Sequence, residues 1–186
     1  MQARNARKHE FWAELRANAA SARSSTQGSR QCEQRRLRIR IGMEVSEDLV
    51  TAYKAARYSV LLPMGRRLPL VIGERCQELE DVLQQWRFSM GAFITPENPR
   101  SEVFNAEDNA ERCQRFLKDL CSQGSEECIL GGQGGDALGE WLPEKSFFFP
   151  VENERMAERL ANDYGQNAYL VIEVGEPVKL ILCHQD

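Results

Sequence analysis

Polar side chains that can hold a ligand gather directly after an apolar run in FITPENPRSEVFNAEDNAERC, residues 93–113. Asn98 and Ser101 offer an amide and a hydroxyl. Asn109 and Arg112 follow in the first turns of a predicted helix, where they add a second amide and a cation. The positive end of a helix favours an anionic group. The segment therefore predicts one wall of a site for a small polar or anionic ligand.

Two later segments carry further candidates. A carboxylate and a hydroxyl stand before the apolar run SFFFPV, and a Gln-Asn pair stands before AYLVIEV. No histidine or activated cysteine accompanies them, which makes covalent catalysis hard to propose. The predicted site has Glu144 as its acid/base candidate, and its ligand-binding candidates are Asn98, Ser101, Asn109, Arg112, Ser146, Gln166 and Asn167.

Each candidate also has a structural interpretation. Asn98 and Asn167 are residue types that serve in turns and caps. Glu144 could instead form a structural ion pair with Arg100 or Arg112. The substitutions Glu144→Gln and Asn98→Ala distinguish the ligand-binding interpretation from the structural one. Replacing a residue that acts on a ligand should leave stability nearly unchanged, whereas replacing a structural residue should lower it.

The elements that must position these residues follow from hydrophobic periodicity. From residue 46 onward the pattern predicts the order α-β-β-α-β-α-β-β-α-β-β, with hairpins formed by YSVLLP with LPLVIG and by AYLVIEV with PVKLILC. The unbroken apolar run MGAFIT is typical of a strand covered on both faces. Asn105 and Asn153 are predicted helix caps, and Gly165 a helix terminator. The fold expected is a single α+β domain with a mixed β-sheet and three or four packed helices.

Strand direction predicts where the polar segments meet. A strand-helix-strand connection returns the chain in the same direction, and a short loop reverses it. The strands MGAFIT and ECILGG should therefore end at one rim of the sheet, where SFFFPV and AYLVIEV begin. Four polar groups are expected at that rim: Thr95/Asn98/Arg100/Ser101, Gln133/Asp136, Glu144/Ser146 and Gln166/Asn167.

The glycine-rich stretch GGQGGDALGEWLPEK, residues 131–145, is not a nucleotide-binding motif. A dinucleotide fingerprint requires a helix to follow, and Pro143 with the strand after it leaves no room for one. The Lys-Ser/Thr pair of a phosphate-binding loop is also missing.

Composition sets broad limits on function. The 186 residues are 42% apolar and 28% charged, as in a soluble globular protein, and the apolar runs are too short to span a bilayer. The six cysteines form no C-x-x-C pair and the two histidines stand at opposite ends of the chain, so no metal or cofactor is predicted. No secretory signal is readable, which predicts a cytoplasmic protein.

Residues 1–42 differ from the rest of the chain. They hold ten basic against three acidic residues, a net charge of +7, whereas residues 43–186 hold fourteen against twenty-five, a net charge of −11. Their polar, Arg-rich composition predicts a flexible, mostly disordered basic extension before a single domain at 43–186. Nucleic acid is an expected partner only for this tail. The alternative is an appendage without function, with Met43 as the working start.

Four motifs taken together resemble the bacterial family called domain of unknown function 3293. They are AFITPENPRS, the Asn109-x-x-Arg112 helix start, WLPEKSFFF and YGQNAYLVI, and the resemblance covers about residues 50–183. Pro96-Glu97 replaces a small and an aromatic residue of the family's pattern, and the helix start EDNAER is longer than the family's. The resemblance implies a bacterial cytosolic protein without known metal or cofactor, and the shared polar residues are Thr95, Asn98, Ser101, Asn109, Arg112, Glu144, Ser146, Gln166 and Asn167.

Three functions are consistent with these observations. The first is a ligand-binding or enzymatic site for a small polar or anionic ligand at the rim. The second is a non-catalytic protein-interaction module that uses its acidic surface. The third is nucleic-acid contact through the Arg-rich tail, with an affinity that falls steeply with salt. The sequence itself names no reaction.

Overall fold

The computed structural model describes residues 47–122, 126–135 and 142–183. The basic extension predicted for residues 1–42, and Asp136 of the second polar group, lie outside these ranges. Within them the chain forms four α-helices and seven β-strands in the predicted order. They are α1 (Glu47–Ala55), β1 (Arg57–Leu61), β2 (Arg67–Leu70), α2 (Gln77–Trp86), β3 (Met90–Ile94), α3 (Ala106–Ser122), β4 (Leu130–Gly135), β5 (Glu144–Pro150), α4 (Glu154–Asp163), β6 (Ala168–Glu173) and β7 (Lys179–Leu182).

The α+β prediction is confirmed, and one detail of it is wrong. All seven strands form one sheet in the order β2-β1-β4-β5-β3-β6-β7, and each of its six neighbouring pairs is antiparallel. The expected mixed sheet assumed that strands joined through a helix lie side by side. Here β5 lies between β3 and β4, and β3 lies between β5 and β6. Strands that run in the same direction are therefore never hydrogen-bonded neighbours.

The predicted directions themselves are correct. Because neighbours alternate in direction along the sheet, β3 and β4 end at one rim, and β5 and β6 begin there. Strand β1 begins at the same rim, so helix α1, which precedes it, also reaches this edge of the sheet. The sheet thus brings to one rim the segments that carry the candidate residues.

The hydrophobic core lies on both faces of the sheet. On one face, α3 and α4 cover side chains that include Ile94, Phe147 and Phe149. On the other, α2 covers Phe93 and Phe148. Strand β3 is therefore buried on both sides, as its unbroken apolar run predicts. The run Phe147–Phe149 is core and alternates between the two faces.

Candidate functional site

The segment after β3 forms a tight turn in an unusual backbone conformation. Asn98, Arg100 and Ser101 have positive φ angles of 49°, 55° and 58°. Such angles are uncommon for residues other than glycine; each costs on the order of 1–3 kcal/mol and persists only where the surrounding structure imposes it. The surroundings do so here, because the Arg100 amide donates to the carbonyl of Gly165 at 2.7 Å. The turn is held from outside by the segment that follows α4.

Asn98 connects the parts of the turn through hydrogen bonds of its side chain and main chain. Its side-chain oxygen accepts from the Phe104 amide at 2.9 Å and from Nδ2 of Asn109 at 3.0 Å. Its own main-chain amide donates to Oδ1 of Asn109 at 3.0 Å. Its Nδ2 donates to Oε1 of Glu144 at 2.7 Å. Asn98 therefore both fixes the turn and presents a donor to the candidate acid/base.

Glu144 opens β5 with its carboxyl group largely removed from water. The pKa of Glu144 is raised to about 7, mainly because its carboxyl group is buried and also because the carboxylate of Glu97 is nearby; hydrogen bonding by Asn98 and Thr95 opposes part of this rise. Neither Arg100 nor Arg112 forms an ion pair with Glu144 in the described part of the chain. The structural ion pair considered from the sequence is therefore not found there.

The residues just before β6 make further contacts that hold the turn. Gly165 has φ +69°, and a β-carbon at this position would lie 3.0 Å from Cβ of Pro99, so glycine is needed for both its conformation and the close approach. The buried Gln166 donates from Nε2 to the carbonyl of Glu97 at 3.0 Å. The buried Asn167 donates from Nδ2 to Oγ of Ser101 at 3.0 Å.

Arg112 is used to hold the backbone. Its guanidinium group donates from Nε to the carbonyl of Pro96 at 2.7 Å and from Nη2 to the carbonyl of Tyr164. It lies over the rings of Phe104 and Tyr164, 5.8 and 5.7 Å from the centroids. Burial lowers the pKa of Arg112. This side chain joins the turn to the end of α4, and its predicted role as an anion partner has no support from these contacts.

Two other candidates lie at the margin of this network. The buried Ser146 donates to the main-chain oxygen of Glu144 at 3.3 Å and faces glycine-rich β4, with Oγ 3.8 Å from where a Gly134 β-carbon would lie. Gln133 accepts from Nη1 of Arg67 at 2.9 Å. In the strand register its neighbour Gly134 is opposite Glu144, so the Gln133 side chain points to the other face of the sheet.

Sequence reasoning missed three residues at the rim. The Tyr53 hydroxyl, from α1, lies 3.1 Å from Oγ of Ser101. The Tyr58 hydroxyl donates to the carbonyl of Tyr53 at 2.9 Å. Glu97 accepts from the main-chain amide of Lys145 at 2.9 Å. The available signal for the tyrosines was that a half-buried phenol needs a hydrogen-bond partner. Glu97 was noted only as a departure from the family's pattern.

The "rim cluster" is the name we give to this network, whose members are Tyr53, Thr95, Glu97, Asn98, Ser101, Asn109, Glu144, Gln166 and Asn167. Among the described residues, every buried side-chain nitrogen and oxygen has a hydrogen-bond partner. In the same ranges, no group of three or more His, Cys, Asp or Glu side chains is placed to hold a metal ion. What the arrangement offers chemically is a carboxyl group that is fixed by an amide and titrates near neutral pH.

These observations define the class of the protein: an α+β fold with an antiparallel seven-stranded sheet and a polar network at one rim. A family described as protein of unknown function (DUF3293) matches residues 94–169. This match supports membership of that family and confirms the resemblance found in the motifs. Over residues 94–169 the chain is therefore similar to the DUF3293 family. The curated proteins and the solved structures contain no match to it.

Proposed function

We propose that the rim cluster binds a small polar ligand and that Glu144 acts on it as a general acid or base. The observation that carries this proposal is the pKa of Glu144, which burial raises to about 7 while Asn98 fixes one carboxyl oxygen at 2.7 Å. A group that titrates near the working pH is available in both its protonated and ionised forms, so it can donate and accept a proton efficiently.

The charges around Glu144 favour a neutral or cationic ligand over an anion. Apart from burial and hydrogen bonds, the group that shifts the pKa of Glu144 is another carboxylate, Glu97. The predicted anion partner Arg112 is bound to two main-chain carbonyls. An anion would therefore meet like charge whenever Glu144 is ionised. Under this proposal Ser101 and Asn167 supply further polar groups to the ligand, which are the roles expected from the sequence.

A ligand screen by thermal shift tests this function. Nucleosides, amino acids, amines and sugars are compared on the wild-type protein and on Glu144→Gln, which keeps an oxygen acceptor for Asn98 but cannot ionise. A ligand at a hundred times its Kd should raise the melting temperature by several degrees in the wild type only. Glu102→Gln is the matched control, because Glu102 is an exposed carboxylate next to the turn that carries Asn98.

Two results would overturn the proposal. One is a screen in which no compound stabilises the wild-type protein. The other is a set of ligands whose stabilisation survives in Glu144→Gln. In both cases Glu144 would have no part in binding.

A protein-docking role is the second candidate, and two exposed apolar side chains favour it. Val103 is 76% exposed and Leu142 is 87% exposed. Val103 is two residues after Ser101, and Leu142 is two residues before Glu144. Both therefore flank the rim. Contiguous exposed apolar patches are typical of interaction sites, so this hypothesis requires Val103 and Leu142 to form one patch. Under this hypothesis Val103→Ser with Leu142→Ser abolishes partner binding, and Glu144→Gln leaves it unchanged.

We further propose a bacterial, cytosolic setting, as the family resemblance implies. No helix in the described ranges is long and apolar enough to cross a membrane. The proposal rests on the resemblance, and detecting the native protein in fractionated cells tests it.

A further inference from the structure

The pairing of β3 with β5 ends two residues before a proline. The register pairs Ile94 with Phe147, so continuing it would place Pro96 opposite Lys145. Proline has no main-chain N–H and therefore cannot donate to the Lys145 carbonyl as a strand partner would. The main-chain groups of Lys145 must find other partners, because an unpaired N–H or C=O away from water is costly.

Two side chains replace the missing strand partner. The Thr95 hydroxyl donates to the carbonyl of Lys145 at 2.8 Å. The main-chain amide of Lys145 donates to Oε2 of Glu97 at 2.9 Å. The main-chain amide of Glu97 donates in turn to the Thr95 hydroxyl oxygen at 3.1 Å. Since Lys145 directly follows Glu144, the carboxylate of Glu97 is held against the start of β5, one residue from the candidate acid/base.

Glu97 is also fixed by the elements on its other sides. Its Oε1 accepts from Sγ of Cys113 on α3 at 3.4 Å, and its carbonyl accepts from Nε2 of Gln166 at 3.0 Å. Burial raises the pKa of Cys113, and the charge of Glu97 raises it further, so the thiol stays a donor. Within the described ranges Glu97 forms no ion pair. Its negative charge is therefore fixed in place without a paired cation there.

The charge of Glu97 acts on Glu144 without compensation by the cations of the site. Apart from burial and hydrogen bonds, the charge that shifts the pKa of Glu144 is that of Glu97, and it raises this pKa. Arg112 and Lys145 lower the pKa of Cys113. The groups that shift the pKa of Glu144 include neither of these cations.

Two further titratable groups lie close enough to Glu144 to respond to its charge. They are Tyr53 of α1 and Tyr58 of β1, and burial raises the pKa of both phenols, with a further rise from Glu144. Both phenols therefore stay neutral near pH 7 and do not compete for the proton. Glu97 is thus the neighbour whose charge opposes the ionisation of Glu144.

We propose that Glu97 is a positioning residue for Glu144, which holds the start of β5 through the Lys145 amide and sets a fixed negative charge near the candidate acid/base. The inference rests on the function proposed above and adds which form of Glu144 meets a ligand. A neutral oxygen could also accept from the Lys145 amide. A carboxylate in that place additionally disfavours the ionised form of Glu144. Below pH 7 Glu144 is then mostly protonated, so it acts first as a proton donor.

Glu97→Gln tests the inference, because it keeps an oxygen acceptor for the Lys145 amide and removes the charge. The control is Glu102→Gln, which removes an exposed carboxylate from the same part of the chain. Titration of the side-chain ¹³C resonance gives the pKa of Glu144 in each protein. In Glu97→Gln this pKa should lie clearly below about 7 but above the ordinary value of 4.5, because burial, the larger cause, remains. In Glu102→Gln it should stay at about 7, because water and salt screen an exposed charge.

Amide hydrogen exchange at Lys145 separates the charge of Glu97 from its hydrogen bond. Glu97→Gln should leave the exchange rate nearly unchanged. Glu97→Ala, which also removes the acceptor, should speed exchange about tenfold, as expected for the loss of about one hydrogen bond. Both variants should lower the pKa of Glu144, so Glu97→Ala carries the test of the charge should Glu97→Gln fail to fold. A merely structural Glu97 would alter exchange in Glu97→Ala and leave the pKa of Glu144 unchanged in Glu97→Gln.

The results distinguish a failure of this inference from a failure of the proposed function. A wild-type Glu144 that titrates at its ordinary value overturns both. A wild-type Glu144 that titrates near 7, and still does so in Glu97→Gln, overturns the role of Glu97 alone. An equal fall of the pKa in Glu102→Gln would also overturn that role, because the effect would then come from the net charge of the protein.

Discussion

At the scale of single residues, the chain keeps an ionisable group in a place that opposes its ionisation. Glu144 is removed from water next to a second carboxylate, and its pKa is raised to about 7. Replacing such a group by a neutral one usually stabilises a protein, and positions of this kind are typical of functional sites. A buried carboxyl group of this kind should therefore make the stability of the protein depend on pH, which a carboxylate with an ordinary pKa would not do.

The wild type should lose stability relative to Glu144→Gln as the pH rises. The pKa of Glu144 is higher in the folded state than the unfolded value near 4.5, so its contribution to stability is fully present below about pH 4.5 and is lost as the pH rises through 7. The loss amounts to about 2–3 kcal/mol between pH 4.5 and pH 8. Urea unfolding of both proteins at several pH values measures it. A difference between the two proteins that does not change with pH would contradict the account.

Asn98→Ala should destabilise the protein, by about 3 kcal/mol. The substitution removes the acceptor for Phe104 and Asn109 and the donor to Glu144, and it leaves a residue poorly suited to φ 49°. Asn98→Gly loses the same hydrogen bonds but accepts the backbone angle, so it should be about 1 kcal/mol more stable than the alanine variant. Equal unfolding free energies for Ala, Gly and wild type would show that the network contributes nothing.

This prediction revises an expectation from the sequence. A ligand-binding Asn98 was expected to be replaceable with little change in stability, which assumed that binding and structural roles exclude each other. The hydrogen bonds show that one side chain can hold the turn and face Glu144 at the same time. The Asn98 substitution therefore does not separate the two interpretations, whereas the Glu144 substitution does.

At the scale of elements, the glycines of β4 let the sheet pack closely beside the site. A β-carbon at residue 132 would lie 2.4 Å from Cε2 of Phe93 and 2.7 Å from the carbonyl of Ser59. Phe93 fills the space that a side chain would otherwise take. The glycine-rich stretch, which the sequence excluded as a nucleotide motif, is therefore in part a packing surface for aromatic rings.

Gly132→Ala should cost about 1–3 kcal/mol of unfolding free energy, because Phe93 or the strand must move. Gly135→Ala is the control on the same strand, since its β-carbon would meet Pro143 no closer than 3.3 Å. Chemical denaturation of both variants measures the difference. If the two variants proved equally stable, the close packing of Phe93 on β4 would be wrong.

Local chemistry made most of the elements predictable. Asn105 accepts from the Asp108 amide at 2.8 Å and Asn153 from the Met156 amide at 3.1 Å, as predicted for helix caps. Strand direction was also predictable, because it depends only on the connections. Strand neighbours were not, since which strands pair is decided by the packing of the whole core. Tyr53 and Glu97 form their contacts with residues more than 45 positions away in the sequence. No local sequence pattern can predict such contacts.

At the scale of the whole molecule, the chain divides into a part that builds the sheet and a part that the structure does not describe. The buried hydrophobic residues of the described ranges run from Val60 to Cys183. Residues 1–42 carry a net charge of +7 and a composition that cannot bury much apolar surface. Their disorder and their contact with nucleic acid stay predictions.

Deleting residues 1–42 should leave the stability of the protein unchanged to within about 0.5 kcal/mol, because a tail that is disordered, as predicted, contributes no buried surface. Any affinity for nucleic acid should vanish with the tail, and in the full chain it should fall steeply as salt is added. Thermal unfolding and a salt titration of binding measure the two effects. A shortened protein that fails to fold would show that the domain begins before residue 43.

The most direct test of the central claim is the pKa of Glu144 in the intact protein, measured from its side-chain ¹³C chemical shift between pH 4 and pH 9. Glu144→Gln assigns the resonance, which is absent in that variant. The account predicts a midpoint of about 7. A midpoint near the ordinary value of 4.5 would mean that water reaches the carboxyl group freely, and the rim cluster would then be a structural network without an acid/base group.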